Sequence, residues 1–187
     1  MKAAKTLRSD ARDNAAKLRE AALELFLAQG LDAPLNEIAR AAGVSVGTLF
    51  HRFGSREGLI DAVIPDVAAR RLQELGIAVM TKETPRERLE AFVHGMIDVQ
   101  HDDPAMNDAI LRRYPDAAAL LGVCDRSTEL GRQLVREAHA DGSLSPDFTE
   151  DDLFSMLWLA GTANRDESAP AGWVRIIDRA LESAWTD

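Results

Sequence analysis

Residues 38–59 read IARAAGVSVGTLFHRFGSREGL, and few folds can accommodate that stretch. Ile38, Ala39 and Ala42 fall at helical spacing, and Gly43 then supplies the backbone freedom of a sharp turn. Ser45 is placed to cap a second helix, its hydroxyl accepting from the backbone N–H of Gly47 or Thr48. Leu49 and Phe53, four apart, give that helix a buried seam. Val46, Gly47, Thr48, His51 and Arg52 are left outward: small residues first, then groups that hydrogen-bond or carry charge. A helix that enters the DNA major groove has this character, with early residues at base edges and the other polar groups at phosphates. Any small pair of helices packed inside an all-helical protein also contains such a turn, so the rest of the chain has to decide.

The 187 residues suffice for one large domain, or for a small domain and a larger one. Ala and Leu abound, β-branched runs are scarce, and no segment alternates for long with period two. The expectation is all-α. The net charge of −9 disfavours a nucleic-acid partner until its distribution is considered. Residues 1–60 hold nine Lys/Arg (Lys2, Lys5, Arg8, Arg12, Lys17, Arg19, Arg40, Arg52, Arg56) against seven Asp/Glu, and the acidic excess lies in the remainder. A positive head on an acidic body turns the head toward DNA.

The helical periods predict about nine helices. The first runs from about Asp10 to Gln29, after a loose polar segment 1–9, and Gly30 stops it. Pro34 opens the second, which ends near Ala42, and Val46–Phe53 is the third. Ser55 caps a fourth from Arg56 to about Met80, interrupted at Pro65. That proline reads equally as a break between two helices or as a hinge between head and body. Thr84-Pro85 begins a fifth, with Leu89, Phe92, Val93, Met96 and Val99 or Gln100 inward. A short helix over Ala105–Arg113 and a long one over 116–140 follow. Thr149 and Asp152 resemble a capping box before the eighth, Glu150 to about Ala163. The last carries Trp173, Ile177, Ala180, Leu181 and Ala184 on one face, with Ile176 beside it.

The eighth helix, with Leu153, Phe154, Met156, Leu157, Trp158 and Leu159, is apolar nearly all round and needs burial on both sides. A four-helix seam across a two-fold axis, made by 150–163 and 173–185 of two copies, provides it. His94, Asp98 and His101 share a helix face at a spacing that suits a metal, but Glu87 and Glu90 lie on the same stripe, so a solvated face is the better reading. Cys124 is the sole cysteine, so no intramolecular disulfide forms, in keeping with a reducing cytoplasm. The N-terminus lacks the apolar core of a secretory signal, no run spans a bilayer, and a cytoplasmic location is expected. No phosphate loop, nucleophile elbow or Cys/His spacing points to an enzyme, a metal or a cofactor.

These motifs, in this order and spacing, resemble the TetR family of bacterial transcriptional regulators over roughly residues 10–64. The resemblance rests on AALELFLAQGLDA, NEIARAAGVS and GTLFHRFGSREGL, the last similar to the family's G-T-L-Y-x-H-F-x-S-K-E-x-L signature. It implies a homodimer with a three-helix head at 1–54 and an effector-binding, dimerising helical body at 55–187. The implied function is repression at a near-palindromic operator, relieved by a small apolar or amphipathic effector. Carried over by position, Ser45, Val46, Gly47 and Thr48 meet bases or flanking phosphates, and Phe50, His51 and Arg52 occupy the phosphate-contacting cluster. Arg56 stands for the usual phosphate-contacting Lys. Phe50 lacks the hydroxyl of the usual Tyr, Arg52 offers a stronger phosphate contact, and Val46 limits readout there to an apolar contact such as a thymine methyl.

Phe92, Met96, Met106, Leu111, Tyr114, Cys124, Phe154, Trp158 and Trp173 are the candidate walls of an effector pocket, although each alone also suits ordinary core. The competing expectation is a dimeric helical small-molecule binder without DNA binding.

Overall fold

The computed structural model describes residues 2–186, with side chains from Asp13 onward. It is built from helices, with one isolated bridge between Leu144 and Trp185. The helices are α1 (Lys2–Gln29), α2 (Leu35–Ala41), α3 (Val46–Phe53), α4 (Arg56–Val63) and α5 (Pro65–Met80), followed by α6 (Pro85–Asp102), α7 (Pro104–Ile110), α8 (Ala118–Ala140), α9 (Glu150–Arg165) and α10 (Trp173–Glu182). The first helix begins at Lys2, not near Asp10; Ala3, Ala4, Lys5, Leu7 and Arg8 are all good helix formers. The side chains of Lys2, Lys5, Arg8 and Arg12, which supply much of the head's positive charge, lie outside the described residues.

Leu18, Ala22 and Phe26 of α1 are fully buried with Ile38, Leu49, Leu59 and Ile60, which forms the core of the head. Pro34 precedes α2 as its cap instead of starting it. Gly43 turns between α2 and α3 at φ 69°, a left-handed conformation that favours glycine. The interruption expected at Pro65 divides 56–80 into two helices, α4 and α5. Ile64 keeps helical dihedrals (φ −87°, ψ −33°) and its N–H still donates to Ile60, but Pro65 has no N–H to continue the ladder and becomes the first residue of α5.

In the body, Leu89, Phe92, Val93, Met96 and Gln100 of α6 face inward as the periodicity expects, between α5, α8 and α9. A Cβ on Gly131 would sit 3.0 Å from the Phe92 ring, so that glycine lets α8 close onto α6. Thr149 and Asp152 form the expected reciprocal cap of α9. Thr84 and Glu87 form an equivalent box at α6, where only the Thr-Pro start was expected.

The segment Asp102-Asp103-Pro104 ends one helix and also starts the next: Asp103 Oδ1 accepts from the N–H groups of Ala105 and Met106 at 3.0 and 3.1 Å. Burial pushes the Asp103 carboxyl above its ordinary range, against those two bonds. α7 stops at Ile110, short of Arg113, because Arg112 takes the left-handed conformation (φ 52°). No side chain of its own caps α8. Asp61 of α4 does so from outside, accepting from the N–H groups of Ala119 and Leu120 at 3.2 and 3.1 Å.

Candidate nucleic-acid interface and ligand cavity

α3 is held at its start by Ser45, whose Oγ accepts from the Thr48 N–H at 3.1 Å and shares a hydrogen bond with the Thr48 hydroxyl at 2.9 Å. Those two hydroxyls therefore satisfy each other and the helix end. Leu49 is fully buried and fixes which face points away. On that outer face stand Val46, Gly47, Phe50, His51 and Arg52, with Phe50 45% exposed although it is a large apolar ring. Arg52 and His51 make no salt bridge among the described residues, so their polar groups face solvent. The spacing in sequence leaves Val46, Gly47, Thr48, His51 and Arg52 outward; the structure exposes Val46, Gly47, His51 and Arg52, half-buries Thr48 and adds Phe50 to the surface.

Arg56 is elsewhere. It is half-buried, and one of its guanidinium nitrogens donates to the carbonyls of Leu31 and Ala33 at 2.8 and 2.7 Å. That nitrogen braces the α1–α2 corner against α4. The physical reason is proximity: that corner, closed by Gly30 and by the Ala33 N–H to Gly30 carbonyl bond, presents two carbonyls with no helical partner.

The same corner is gripped from the body. Asp108 of α7 has no solvent exposure, and its Oδ2 accepts from the Leu31 N–H at 2.8 Å. Its other oxygen meets Arg165, at the end of α9, and Arg113 at 3.4 Å. Asp32 completes the cluster, taking the Tyr114 hydroxyl at 2.5 Å, Arg113 at 2.9 Å and Arg165 at 3.3 Å. The Tyr114 hydrogen bond, then the neighbouring guanidiniums of Arg113, Arg165 and Arg56, hold the Asp32 carboxyl below its ordinary range despite partial burial. Burial, then the bond to Asp32, pushes the Tyr114 phenol up. Gly30 (φ 86°) is what allows this approach, since a Cβ there would lie 2.7 Å from Asp108 Oδ2.

A cavity of about 540 Å³ opens in the body between α6, α8 and α9. Six of the expected wall residues line it: Phe92, Met96, Leu111, Cys124, Phe154 and Trp158. Three do not. Met106 is fully buried core, Tyr114 turns its hydroxyl to Asp32, and Trp173 packs against the core at the start of α10. The cavity also has a polar rim that the sequence does not reveal, where Arg112 donates to Asp125 at 2.7 Å and Arg132 lies over the Phe154 ring at 5.7 Å. Helical spacing alone gives no sign of that rim, because Arg112 arrives from outside α8. A second hollow of about 630 Å³ lies between α5 and α8, bordered by Ile77 and Met80, and shares Leu72 and Ser127 with the first.

Cys124 is buried on the cavity wall, and loss of water pushes its thiol up to about 11. Alkylation by iodoacetamide at pH 8 is expected to be at least roughly tenfold slower in the folded protein than in urea, read by intact mass. Equal rates would mean that the thiol stands open.

His94 pairs with Asp178 of α10 at 3.2 Å, and His101 faces Asn164 of α9 at 3.3 Å. Both rings and Asp98 are exposed, and the two rings face separate neighbours. On α9 and α10, Trp158 (56% exposed), Leu159 (54%) and Ile176 (62%) form an open apolar surface. Ile177 and Leu181 are the inward face of α10, Ala184 just beyond its end is also buried, and Ala180 is exposed. Among the described residues no helix is long and apolar enough to cross a membrane.

The family model for bacterial regulatory proteins, tetR family, matches residues 18–63. The HTH-type transcriptional regulator BetI of Rhizobium meliloti (strain 1021) is 34% identical over 119 residues, covering 63% of this chain and 55% of BetI. The chain therefore matches little more than half the length of that relative. The HTH-type transcriptional regulator SrpR of Pseudomonas putida is 27% identical over 192 residues, covering 95% of this chain and 86% of SrpR. A bacterial regulatory protein in the tetR family from Rhodococcus RHA1 shares the fold, with a TM-score of 0.63, 19% identity, and coverage of 93% and 98% of the two chains.

Proposed function

We propose that the chain is a DNA-binding transcriptional regulator of the TetR family, whose model matches residues 18–63: a ligand-responsive repressor that acts as a homodimer on a near-palindromic operator. The observation that carries the reading is the outer face of α3, where Arg52 and His51 stand free beside an exposed Phe50 and a small-residue start. A small-residue start lets the helix backbone approach base edges, and an exposed guanidinium and imidazole at the far end meet phosphates.

In this reading residues 1–54 are the DNA-binding head and 55–187 the body. Val46 and Gly47 lie against bases, and Phe50, His51 and Arg52 against the backbone. Ser45 and Thr48 shape the helix start and meet a flanking phosphate. The open surface of α9 and α10 is covered by the same surface of a second copy, which buries Trp158, Leu159 and Ile176. The cavity takes a small apolar or amphipathic effector that changes the spacing of two heads set roughly 34–36 Å apart, one turn of DNA. The relatives' names as transcriptional regulators support a non-enzymatic role, and such a role belongs in the cytoplasm.

Selection of bound fragments from genomic DNA, run in parallel with Arg52→Ala, tests the reading. One near-palindromic site is expected to emerge. Arg52→Ala is expected to weaken binding about uniformly across sequences and to lower the salt slope by about one. No enrichment at low salt by folded protein would instead favour a helical small-molecule binder.

A further inference from the structure

Two hollows meet in the body. The first, of about 540 Å³, has Arg112 at its rim and is walled largely by aromatic and aliphatic side chains. The second, of about 630 Å³, runs along α5 and α8 to Ile77 and Met80, which are exposed. Leu72 of α5 and Ser127 of α8 border both, so a wall one side chain thick parts them. That wall is weakly fastened. Leu72 has other staggered rotamers, and the Ser127 hydroxyl has only the Met96 sulfur, at 3.8 Å, for a partner among the described residues. The two ends differ in chemistry. Arg112 commits Nη2 to Asp125 and Thr128, which leaves Nε and Nη1 without a partner among the described residues. Arg132, on the same rim, is held by Glu129 and Glu150. Arg126, at the edge of the second hollow, is turned back on its own helix, its Nη1 donating to the Gly122 carbonyl at 3.0 Å. One end thus offers guanidinium donors to an anion, and the other ends on an apolar border.

We propose, resting on the reading of the first hollow as an effector site, that the two hollows form one channel whose occupant is a long, unbranched amphipath with an anionic head. The head meets Arg112, the chain passes between Leu72 and Ser127, and its end lies against Ile77 and Met80. A compact ligand would fill the first hollow and leave the apolar second one to water, whereas a chain through both removes that surface from water.

Titration calorimetry of the full chain with the straight-chain saturated fatty acids from octanoate to hexadecanoate tests it. A fully buried methylene is worth about fourfold in affinity, and the partly open second hollow should give about twofold for each one, continuing to the longest acid. Gly76→Leu fills the second hollow from α5, where a Cβ would meet only Leu130, at an ordinary 3.5 Å. It is expected to leave octanoate unchanged and to halt the gain before hexadecanoate. If Gly76→Leu fails to fold, Ser127→Leu thickens the wall and carries the same readout. Arg112→Gln is expected to weaken every acid by about the same factor, roughly tenfold, and Arg126→Gln to weaken none. The proposal is overturned if no acid binds, if the wild-type gain stops at the shorter acids, if Gly76→Leu leaves the gain intact or weakens octanoate as much as hexadecanoate, or if Arg126 and not Arg112 sets the affinity. A flat series together with an altered oligomeric state in Gly76→Leu would assign the second hollow to another copy of the chain and also overturns it. None of this requires an operator. Failure to find one would sink the functional reading alone, and a flat series in protein that binds an operator would sink the channel alone.

Discussion

Asp108→Ala is expected to lower the stability of the folded chain by about 3 kcal/mol, the largest single effect of any substitution considered. The carboxylate has no exposure, accepts from the Leu31 N–H and is charge-paired with Arg165 and Arg113. Its removal strands a buried amide, worth about 1–3 kcal/mol, and breaks charge-assisted bonds of about 1.5–3 kcal/mol. The two arginines are about one-third exposed, so they turn to water instead of remaining as unpaired buried charges, and the ionic part is discounted accordingly. Asp108→Asn, which keeps an acceptor for Leu31, is expected to fall between wild type and Ala. Urea unfolding measures all three; a loss below about 1 kcal/mol in the Ala variant would show that water replaces the carboxylate and that the corner is not locked.

Arg56→Met comes second, at about 2 kcal/mol. The methionine keeps the packing of the side-chain stem but leaves the carbonyls of Leu31 and Ala33, both buried residues, without their donor. This variant separates two roles that sequence position alone confuses. A phosphate contact would lower the salt slope of DNA binding by about one, as at Arg52. A brace leaves the slope unchanged and moves the unfolding midpoint. The brace is the expected result, and a reduced slope at undiminished stability would return Arg56 to the DNA surface.

Arg56 also marks how far sequence reasoning reaches. Ser45, Gly43, Leu49 and Phe53 act within one or two helical turns, so their roles follow from spacing, and the geometry of α3 is legible in the sequence. Arg56 acts across 25 residues on carbonyls that become available only once the corner at Gly30 has formed. The cavity divides in the same way. Phe92 and Met96 lie on the helix face that periodicity assigns inward, and they line it. Tyr114 and Met106 look alike in composition, yet one is captured by Asp32 and the other by the core, which depends on how α7 is set against α1. The early end of α7 is equally hidden, because a left-handed arginine has no signature in sequence.

The α8 cap carries a consequence for how this chain can be divided. The longest helix of the body starts at a residue with no capping side chain and borrows Asp61 from the helix that packs under α3. Cutting the chain before α5 would therefore do more than remove a module: it would leave the start of α8 frayed and weaken the wall that Cys124 and Thr128 contribute to the cavity. Head and body should melt in one transition, not two. Any exchange of the segment 1–64 between relatives would succeed only if the incoming segment brings its own carboxylate to the place that Asp61 fills.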